Sequence, residues 1–453
     1  MEITNKNILV IGLGISGVST IKALHKLGAN ITVTDSKREE ELKDVIQALE
    51  AIPLTKLLGS NEVDLEDIDL IVKSPGVSPT IPLIQDAISR GIEVISDIEL
   101  AYRLDLNQNF IAITGTNGKT TTTSLVGEIF KDAGFKTHVV GNIGRAILGE
   151  LVDSAKEDIF VIEASSFQLE HTRYFKPKVG LILNLAPDHL DWHGSFEAYV
   201  NAKKKIFKNQ DEDDFLVLNF ADDLLRSCKD EAGSKIIWFS TTERLAEGIY
   251  IDGEDIVISY DGRQNRLMSL KEVKLPGKHN LENTLAAIGI ALALGLDLER
   301  VRKTISNFKG VEHRLEYVGN KKGISFYNDS KGTNPDASIK AIEAIPAPII
   351  LIAGGFDKGT DFGPFIRSFN GKVKALILLG QTKYKIKECA DIHNFKDYHL
   401  VDSLEEGVQL AYKLAERGDN ILLSPACASW GMFKDFEERG NAFKAAVHSL
   451  REE

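Results

Sequence analysis

The sequence predicts an α/β chain of three domains, each built on a mostly parallel, doubly wound sheet. Three observations carry this. The chain has 453 residues, and at roughly 150 residues per domain that is about three domains. Short apolar runs bounded by turn residues alternate with stretches of helical periodicity. Two of those runs enter glycine-rich turns from which a helix leaves.

Taken in order, Asn7 to Ile11 reads as a buried strand, Val18 to Leu27 as a helix stopping at Gly28, and Ile31 to Asp35 as a second strand. Leu70 to Lys73 ends a third at Ser74-Pro75-Gly76. A second unit begins with the strand Phe110 to Thr114, followed by strands at Ile159 to Ile162, Val179 to Leu183 and Phe215 to Leu218. Between Gly248 and Leu270, Asp-Gly pairs at 252–253 and 261–262 predict antiparallel hairpins. Leu281 to Phe308 reads as two helices broken near Gly295. A third unit carries strands at Ile349 to Ala353, Ala375 to Leu379 and Asn420 to Leu423. The expected boundaries fall near 97 and 309, giving domains 1–97, 98–309 and 310–453.

Composition excludes several classes. Hydrophobic residues make up 43% and charged residues 26%, as in an ordinary soluble protein. A formal net charge of -12 argues against a nucleic-acid surface. Cys228, Cys389 and Cys427 form no CxxC pair, which suits a reducing compartment. The N-terminus lacks a signal-peptide pattern, and the longest apolar stretch, around Ile288 to Leu296, is far short of the ~20 residues that span a bilayer. The expectation is a cytoplasmic monomer, without nucleic-acid partners or membrane insertion.

The sharpest motif is Gly115-Thr116-Asn117-Gly118-Lys119-Thr120, between a strand and a helix. Backbone N–H groups and a helix N-terminus there can cradle phosphate, Lys119 can reach terminal phosphates, and the Thr120 hydroxyl can hold Mg²⁺. Gly12-Leu13-Gly14-Ile15-Ser16-Gly17 is a weaker signal: with Asp35 at the next strand's end it suits a dinucleotide, a structural turn or a nucleotide carried by a substrate. A complete ATP-type loop in the same chain favours the last.

Glu163, Asn184 and Asp188-His189-Leu190-Asp191 follow successive strands, where ligands of such sheets sit, and could supply oxygen and imidazole ligands to Mg²⁺. Lys203 is anomalous. On a helix starting near Ser195 it falls in the stripe of Phe196, Tyr199, Ile206 and Phe207, while Lys204 and Lys205 point away. It must pair, snorkel or lose its proton, and the helical wheel favours snorkelling. An uncharged amine there could add CO₂ and become an anionic carbamate.

These segments resemble the Mur ligases of peptidoglycan synthesis over essentially the whole chain: Gly115–Thr122, Glu163–Glu170, Asn184–Asp191, Leu275–Asn283, Glu312-His313-Arg314 and Asn328-Asp329-Ser330-Lys331. The resemblance implies Rossmann-like N- and C-terminal domains around a central P-loop ATPase-like domain. It implies an ATP-dependent, amide-forming ligase working through an acyl phosphate. Ser424–Gly440 and Asn328–Asn334 point within the family to UDP-N-acetylmuramoyl-L-alanine as substrate and D-glutamate as acceptor.

Roles follow by position. Gly14, Ile15, Ser16, Asp35, Ser36 and Gly76 would hold UDP; Asn142 and His189 would meet the rest of the nucleotide-sugar. Gly115, Thr116, Asn117, Gly118, Lys119, Thr120 and Thr121, with Asn280, Asn283, Arg314 and Asp329, would bind ATP. Thr120, Glu163, His189 and Lys203, the last as a carbamate, would serve two Mg²⁺ ions, and Lys119, Lys203, His189 and Glu163 carry the catalytic expectation. Thr333, Lys358, Ser429 and Phe436 would hold the amino acid. Singly each has an ordinary reading: Lys358 a solvated lysine, Ser429 a helix N-cap, Thr333 a turn residue, Phe436 core. Three rivals stay open: a relative with another acceptor, a nicotinamide-dependent oxidoreductase, and a non-catalytic ATP-gated module.

Overall fold

The structure, a computed structural model, describes residues 1–59, 63–104, 109–143, 145–275, 277–357 and 359–451. Its first sheet has five parallel strands in spatial order Thr55–Leu58, Asn30–Asp35, Asn7–Ile11, Leu70–Lys73, Glu93–Ile95. Strand order reverses between Asn7–Ile11 and Leu70–Lys73, which opens a ligand crevice at their carboxyl ends. Gly12 and Ser74 therefore face one another there, and the Ser74 hydroxyl donates to Gly12 O at 3.0 Å.

The second sheet has nine strands. Phe110–Thr114 lies between Ile159–Glu163 and Val179–Ile182, parallel to both. That placement explains the site: the ends of three neighbouring strands deliver the glycine loop, Glu163 and Asn184 to one edge. Gly248–Asp252 still runs parallel to Lys235–Ser240; beyond it the sheet turns antiparallel through Asp255–Tyr260 and Arg263–Ser269. Tyr260 pairs with Arg263, leaving Asp261 and Gly262 as the loop, with φ of 51° and 69°. Both positive angles match the turn that Asp-Gly favours in two-residue hairpins.

The third sheet orders its strands Glu316–Lys321, Ile324–Asn328, Asn420–Leu423, Ile349–Gly354, Val373–Leu379, Tyr398–Leu400, with only the first antiparallel. Inserting Asn420–Leu423 between two earlier strands brings the loops after residues 328, 423 and 354 side by side.

Two compact units result: Met1–Val273 with Leu281–Asn307, and Lys274–Asn280 with Phe308–Glu453. The first holds two sheets fused by one hydrophobic cluster running from Ile8 and Val10 to Phe110 and Phe160. Glu99 reinforces the fusion. Its buried carboxylate accepts the N–H groups of Arg173, Tyr174 and Phe175 at 3.0, 2.9 and 2.9 Å, and Arg103 Nε at 2.6 Å. Among the described residues no helix is long and apolar enough to cross a membrane.

Lys73 ends its strand 1% exposed, and its ammonium has no hydrogen-bond partner among the described residues. Burial pulls its pKa down to about 8, against the attraction of Glu170 and Asp97. The unfolded chain holds that proton up to about 10.4, so wild-type stability should rise with pH between about 8 and about 10.4. Lys73→Met removes the buried charge while keeping the volume, and should stabilise the protein by about 1–3 kcal/mol at pH 7 and flatten that rise. Urea unfolding of both proteins across that range tests this; a destabilised variant would mean that Glu170, Asp97 and the Trp192 ring, 5.7 Å from the ammonium, outweigh desolvation.

Candidate active site

At the first sheet's crevice the backbone of Gly12 has φ 92°, and a Cβ on Gly17 would stand 1.9 Å from Gly12 O. Glycine at 17 lets the helix Ile15–Lys26 start against the strand loop. Asp35 does not point free: its carboxylate accepts Leu13 N–H at 2.8 Å and Lys37 N–H at 2.9 Å, fixing the loop from below. Gly14, Ile15, Ser36 and Gly76 are exposed, and a Cβ on Gly14 or Gly76 would meet nothing within 4 Å. Ser16 is half-buried beside them.

At the second sheet, Gly118 sits left-handed at φ 85° and opens the helix Lys119–Asp132, so the loop's N–H groups and the helix N-terminus face one spot. Gly118 also needs its missing side chain, since a Cβ would lie 2.2 Å from Asn283 Oδ1. Asn283 thus packs on the phosphate loop. Lys119 Nζ donates to Gly115 O and Thr116 O, both at 2.9 Å, which holds its charge over the loop. Thr120 and Thr121 are buried in the first turn.

Asn184 departs from expectation. It is no free ligand: its Oδ1 accepts Asn117 N–H at 2.9 Å and its Nδ2 donates to Asn117 O at 3.2 Å. With Thr116 N–H donating to Asn184 O at 3.0 Å, it clamps the phosphate loop to the neighbouring strand.

Glu163 is 2% exposed. Asn142 Nδ2 donates to one carboxylate oxygen at 3.0 Å; the other is buried without a partner among the described residues. A buried carboxylate oxygen in that condition fits a cation or a hydrogen-bond donor supplied by a ligand. Among the described residues no three His, Cys, Asp or Glu side chains cluster as a metal cage, so any ion would also draw on hydroxyls, phosphate or a modified lysine.

Lys203 overturns the snorkelling expectation. It is 1% exposed, and its Nζ donates to Gly115 O at 2.8 Å and Thr114 Oγ1 at 3.3 Å. Ser195 caps the helix Phe196–Lys204 by accepting Ala198 N–H at 3.1 Å, and the helix aims Lys203 inward across the Tyr199 ring. Burial, and next the charge of Lys119, hold its pKa well below the usual lysine value. Lys205, expected to face away, lies past the helix end, half-buried, donating to Glu170 O. His189 has a left-handed backbone at φ 51°, a half-exposed ring 4.7 Å from Phe167, and Asp188 at 3.6 Å. Sequence reasoning missed His193, whose buried ring lies 3.0 Å from Ser166 Oγ and 5.5 Å from Tyr199.

The second unit gathers its own group. Asp329 is buried, accepting Ser424 Oγ at 2.7 Å and Leu315 N–H at 3.3 Å. Burial raises its pKa to about 7, against the pull of Ser424 and of nearby Arg314. Asn280 is buried in this unit. Ser429 is 4% exposed and caps no helix; it lies in the loop after Asn420–Leu423. Phe436 opens the helix Phe436–Ser449, and its carbonyl accepts Ser330 Oγ at 2.7 Å. Thr333 is half-buried in the loop after Ile324–Asn328. Lys358 lies outside the described residues.

Comparison with known proteins follows the same segments. The Mur ligase MurD-like N-terminal domain matches residues 6–96, the Mur ligase middle domain 113–291, and the Mur ligase glutamate ligase domain 313–427. The chain is 50% identical over 455 residues, covering 100% of both chains, to UDP-N-acetylmuramoylalanine–D-glutamate ligase of Alkaliphilus oremlandii (strain OhILAs). It is 46% identical over 452 residues, again 100% of each, to the protein of that name in Clostridioides difficile (strain 630). Two solved structures share the fold: UDP-N-acetylmuramate-alanine ligase from Thermotoga maritima, with TM-score 0.58 at 20% identity over 98% of this chain and 100% of that one, and MurF ligase from the same organism in complex with ADP, with TM-score 0.57 at 17% identity over 99% and 96%.

Proposed function

The chain belongs to the Mur ligase family, and we propose that it joins D-glutamate to UDP-N-acetylmuramoyl-L-alanine at the cost of ATP. The observation that carries the chemistry is the phosphate loop flanked by Glu163, with its unpartnered oxygen, and by the buried Lys203. Full-length identity to ligases of that name supports the acceptor.

The L-alanyl carboxylate attacks the γ-phosphorus of ATP, the bond to the bridging oxygen breaks, and ADP leaves an acyl phosphate. The D-glutamate amine then attacks the acyl carbon, loses a proton, and phosphate departs. Lys119 stabilises charge on the transferring phosphoryl group, and the loop N–H groups orient it. Thr120, Glu163, His189 and a carbamylated Lys203 would hold two Mg²⁺ ions, offering a hydroxyl, a carboxylate oxygen without a partner among the described residues, an imidazole and the oxygens of the carbamate. When bound there, Mg²⁺ would further neutralise the phosphates. We assign Gly14, Ile15, Ser16, Asp35, Ser36, Gly76 and Asn142 to the nucleotide-sugar. For Asp35 the role is to hold the loop. Asn283 supports the ATP loop, and Asn280, Arg314 and Asp329 complete the ATP set. Thr333, Lys358, Ser429 and Phe436 are assigned to the amino acid. The boundaries near 97 and 309 divide these three tasks. The reading includes a monomer in the cytoplasm, in keeping with three unpaired cysteines.

The test is phosphate release from ATP with UDP-N-acetylmuramoyl-L-alanine present, adding one amino acid at a time. D-Glutamate alone should stimulate release and yield a new UDP-linked product. Stimulation by a diamino acid or dipeptide instead would sink the acceptor assignment while keeping the family chemistry.

A further inference from the structure

Arg439 is a buried guanidinium that makes no direct ion pair among the described residues; the Asp329 carboxylate acts on it only from a distance. It is 2% exposed, on the helix Phe436–Ser449. Its Nε donates to Ser330 Oγ at 3.0 Å, its Nη2 to Ser330 O at 2.8 Å, and its Nη1 to Cys427 O at 3.1 Å. Ser330 Oγ passes the connection on, donating to Phe436 O at 2.7 Å. Burying such a charge without a carboxylate in direct contact is costly, and burial lowers its pKa to about 10 against the weaker pull of Cys427 and Asp329. Its own hydrogen bonds therefore go to two loops, and reach the helix start only through the Ser330 hydroxyl.

Those three segments are the ones carrying the residues assigned to the amino acid. Ser330 lies three residues before Thr333, Cys427 two before Ser429, and Phe436 begins the helix. Packing leaves little slack. A Cβ on Gly440, next to Arg439, would stand 2.1 Å from His313 Nδ1, so the helix backbone lies directly against the His313 ring. A Cβ on Gly355 would meet Ala428 O at 2.3 Å and Arg439 Nη1 at 3.3 Å, so the loop after Ile349–Gly354 is seated against the same hub. The adjoining Phe356 N–H donates to Ala428 O at 2.9 Å.

We propose that Arg439 is a positioning residue for the acceptor amino acid, fixing the Thr333 loop, the Ser429 loop and Phe436 in one register. The inference rests on the acceptor assignment above. A planar fork serves two carbonyls and a hydroxyl at set angles; a lysine keeps the charge but cannot span both loops at once.

The experiment measures kcat and KM for all three substrates, with melting temperature, for wild type, Arg439→Lys, Ser330→Ala and the double variant. Misplacing binding groups by about 1 Å costs up to ~100-fold, so Arg439→Lys should raise the amino-acid KM about tenfold or more. KM for the UDP-linked substrate should stay within about twofold, and KM for ATP should rise less than that for the amino acid, since Asp329 adjoins Ser330. Ser330→Ala should raise the same constant less, and the double variant should be no worse than Arg439→Lys, because both break one network. An unchanged amino-acid KM in folded Arg439→Lys would overturn the inference; so would a parallel rise of all three KM values. If Arg439→Lys does not fold, Ser330→Ala decides by the same split. Should another amino acid stimulate the wild type, the D-glutamate reading fails alone, and the positioning role is read from that amino acid's KM.

Discussion

Lys119→Ala should lower phosphate release by about 1,000-fold or more, the largest single loss expected in the molecule. The ammonium is held by Gly115 O and Thr116 O, each at 2.9 Å, at the start of the helix Lys119–Asp132. That seat holds the ammonium over the loop, where it can neutralise a phosphate bound there. Alanine is a good helix former, and Gly118 and Asn184 still shape the loop, so the fold should persist. Lys119→Arg should remain severely impaired, because a wide planar fork cannot occupy a seat built from two converging carbonyls. Turnover, nucleotide affinity and melting temperature should be measured together. Turnover within about tenfold of wild type in a folded variant would sink the phosphate-loop assignment. A second consequence concerns Lys203, whose proton affinity is lowered in part by the charge of Lys119. Removing that charge should make Lys203 easier to protonate.

What the sequence shows and what it hides divide by distance along the chain. The phosphate loop, the Gly12–Gly17 turn and the Asp261-Gly262 hairpin are legible because glycine's conformational freedom and the local order of strand, turn and helix determine them within a few residues. The inward aim of Lys203 is legible too, since helical periodicity places it among apolar neighbours. Its fate is not. The acceptor for its ammonium is Gly115 O, 88 residues away in the chain, and only strand order brings the two together. Asn184 divides in the same way: its place after a strand, which suits a metal ligand, is visible, but its engagement with Asn117 depends on which strand lies beside the loop strand. The joining of the first two sheets by one hydrophobic cluster is reinforced by Glu99 meeting residues 173–175, and no local pattern announces that contact. Arg439 hides most completely. In sequence it is one more charge near a helix start, and only the insertion of Asn420–Leu423 between earlier strands gives its fork two loops to hold.

Lys203→Ala should reduce turnover by about 100- to 1,000-fold, and a small carboxylate such as formate or acetate should restore part of it. Adding CO₂ to a lysine needs the unprotonated amine. Two features supply it here: burial first, then the neighbouring charge of Lys119, both disfavouring the ammonium. In the unmodified form Nζ donates to Gly115 O and Thr114 Oγ1, which would make Lys203 merely a brace for the loop. A brace and a carbamate predict different outcomes. If the amine acts as a brace, Lys203→Ala loosens the loop, lowers stability, weakens nucleotide binding and gains nothing from carboxylates. If it acts as a carbamate, the variant loses an anion beside Glu163, and a diffusible anion that fits the vacated volume replaces it. Lys203→Met fills that volume and should stay inactive with or without added carboxylate. The intact mass of the native wild type, compared with that of Lys203→Ala, gives an independent readout, because one bound CO₂ should be present in the first and absent in the second. Full activity in Lys203→Ala would remove the residue from the mechanism. Loss of activity without rescue, together with a native mass lacking CO₂, would leave it as a brace for Gly115.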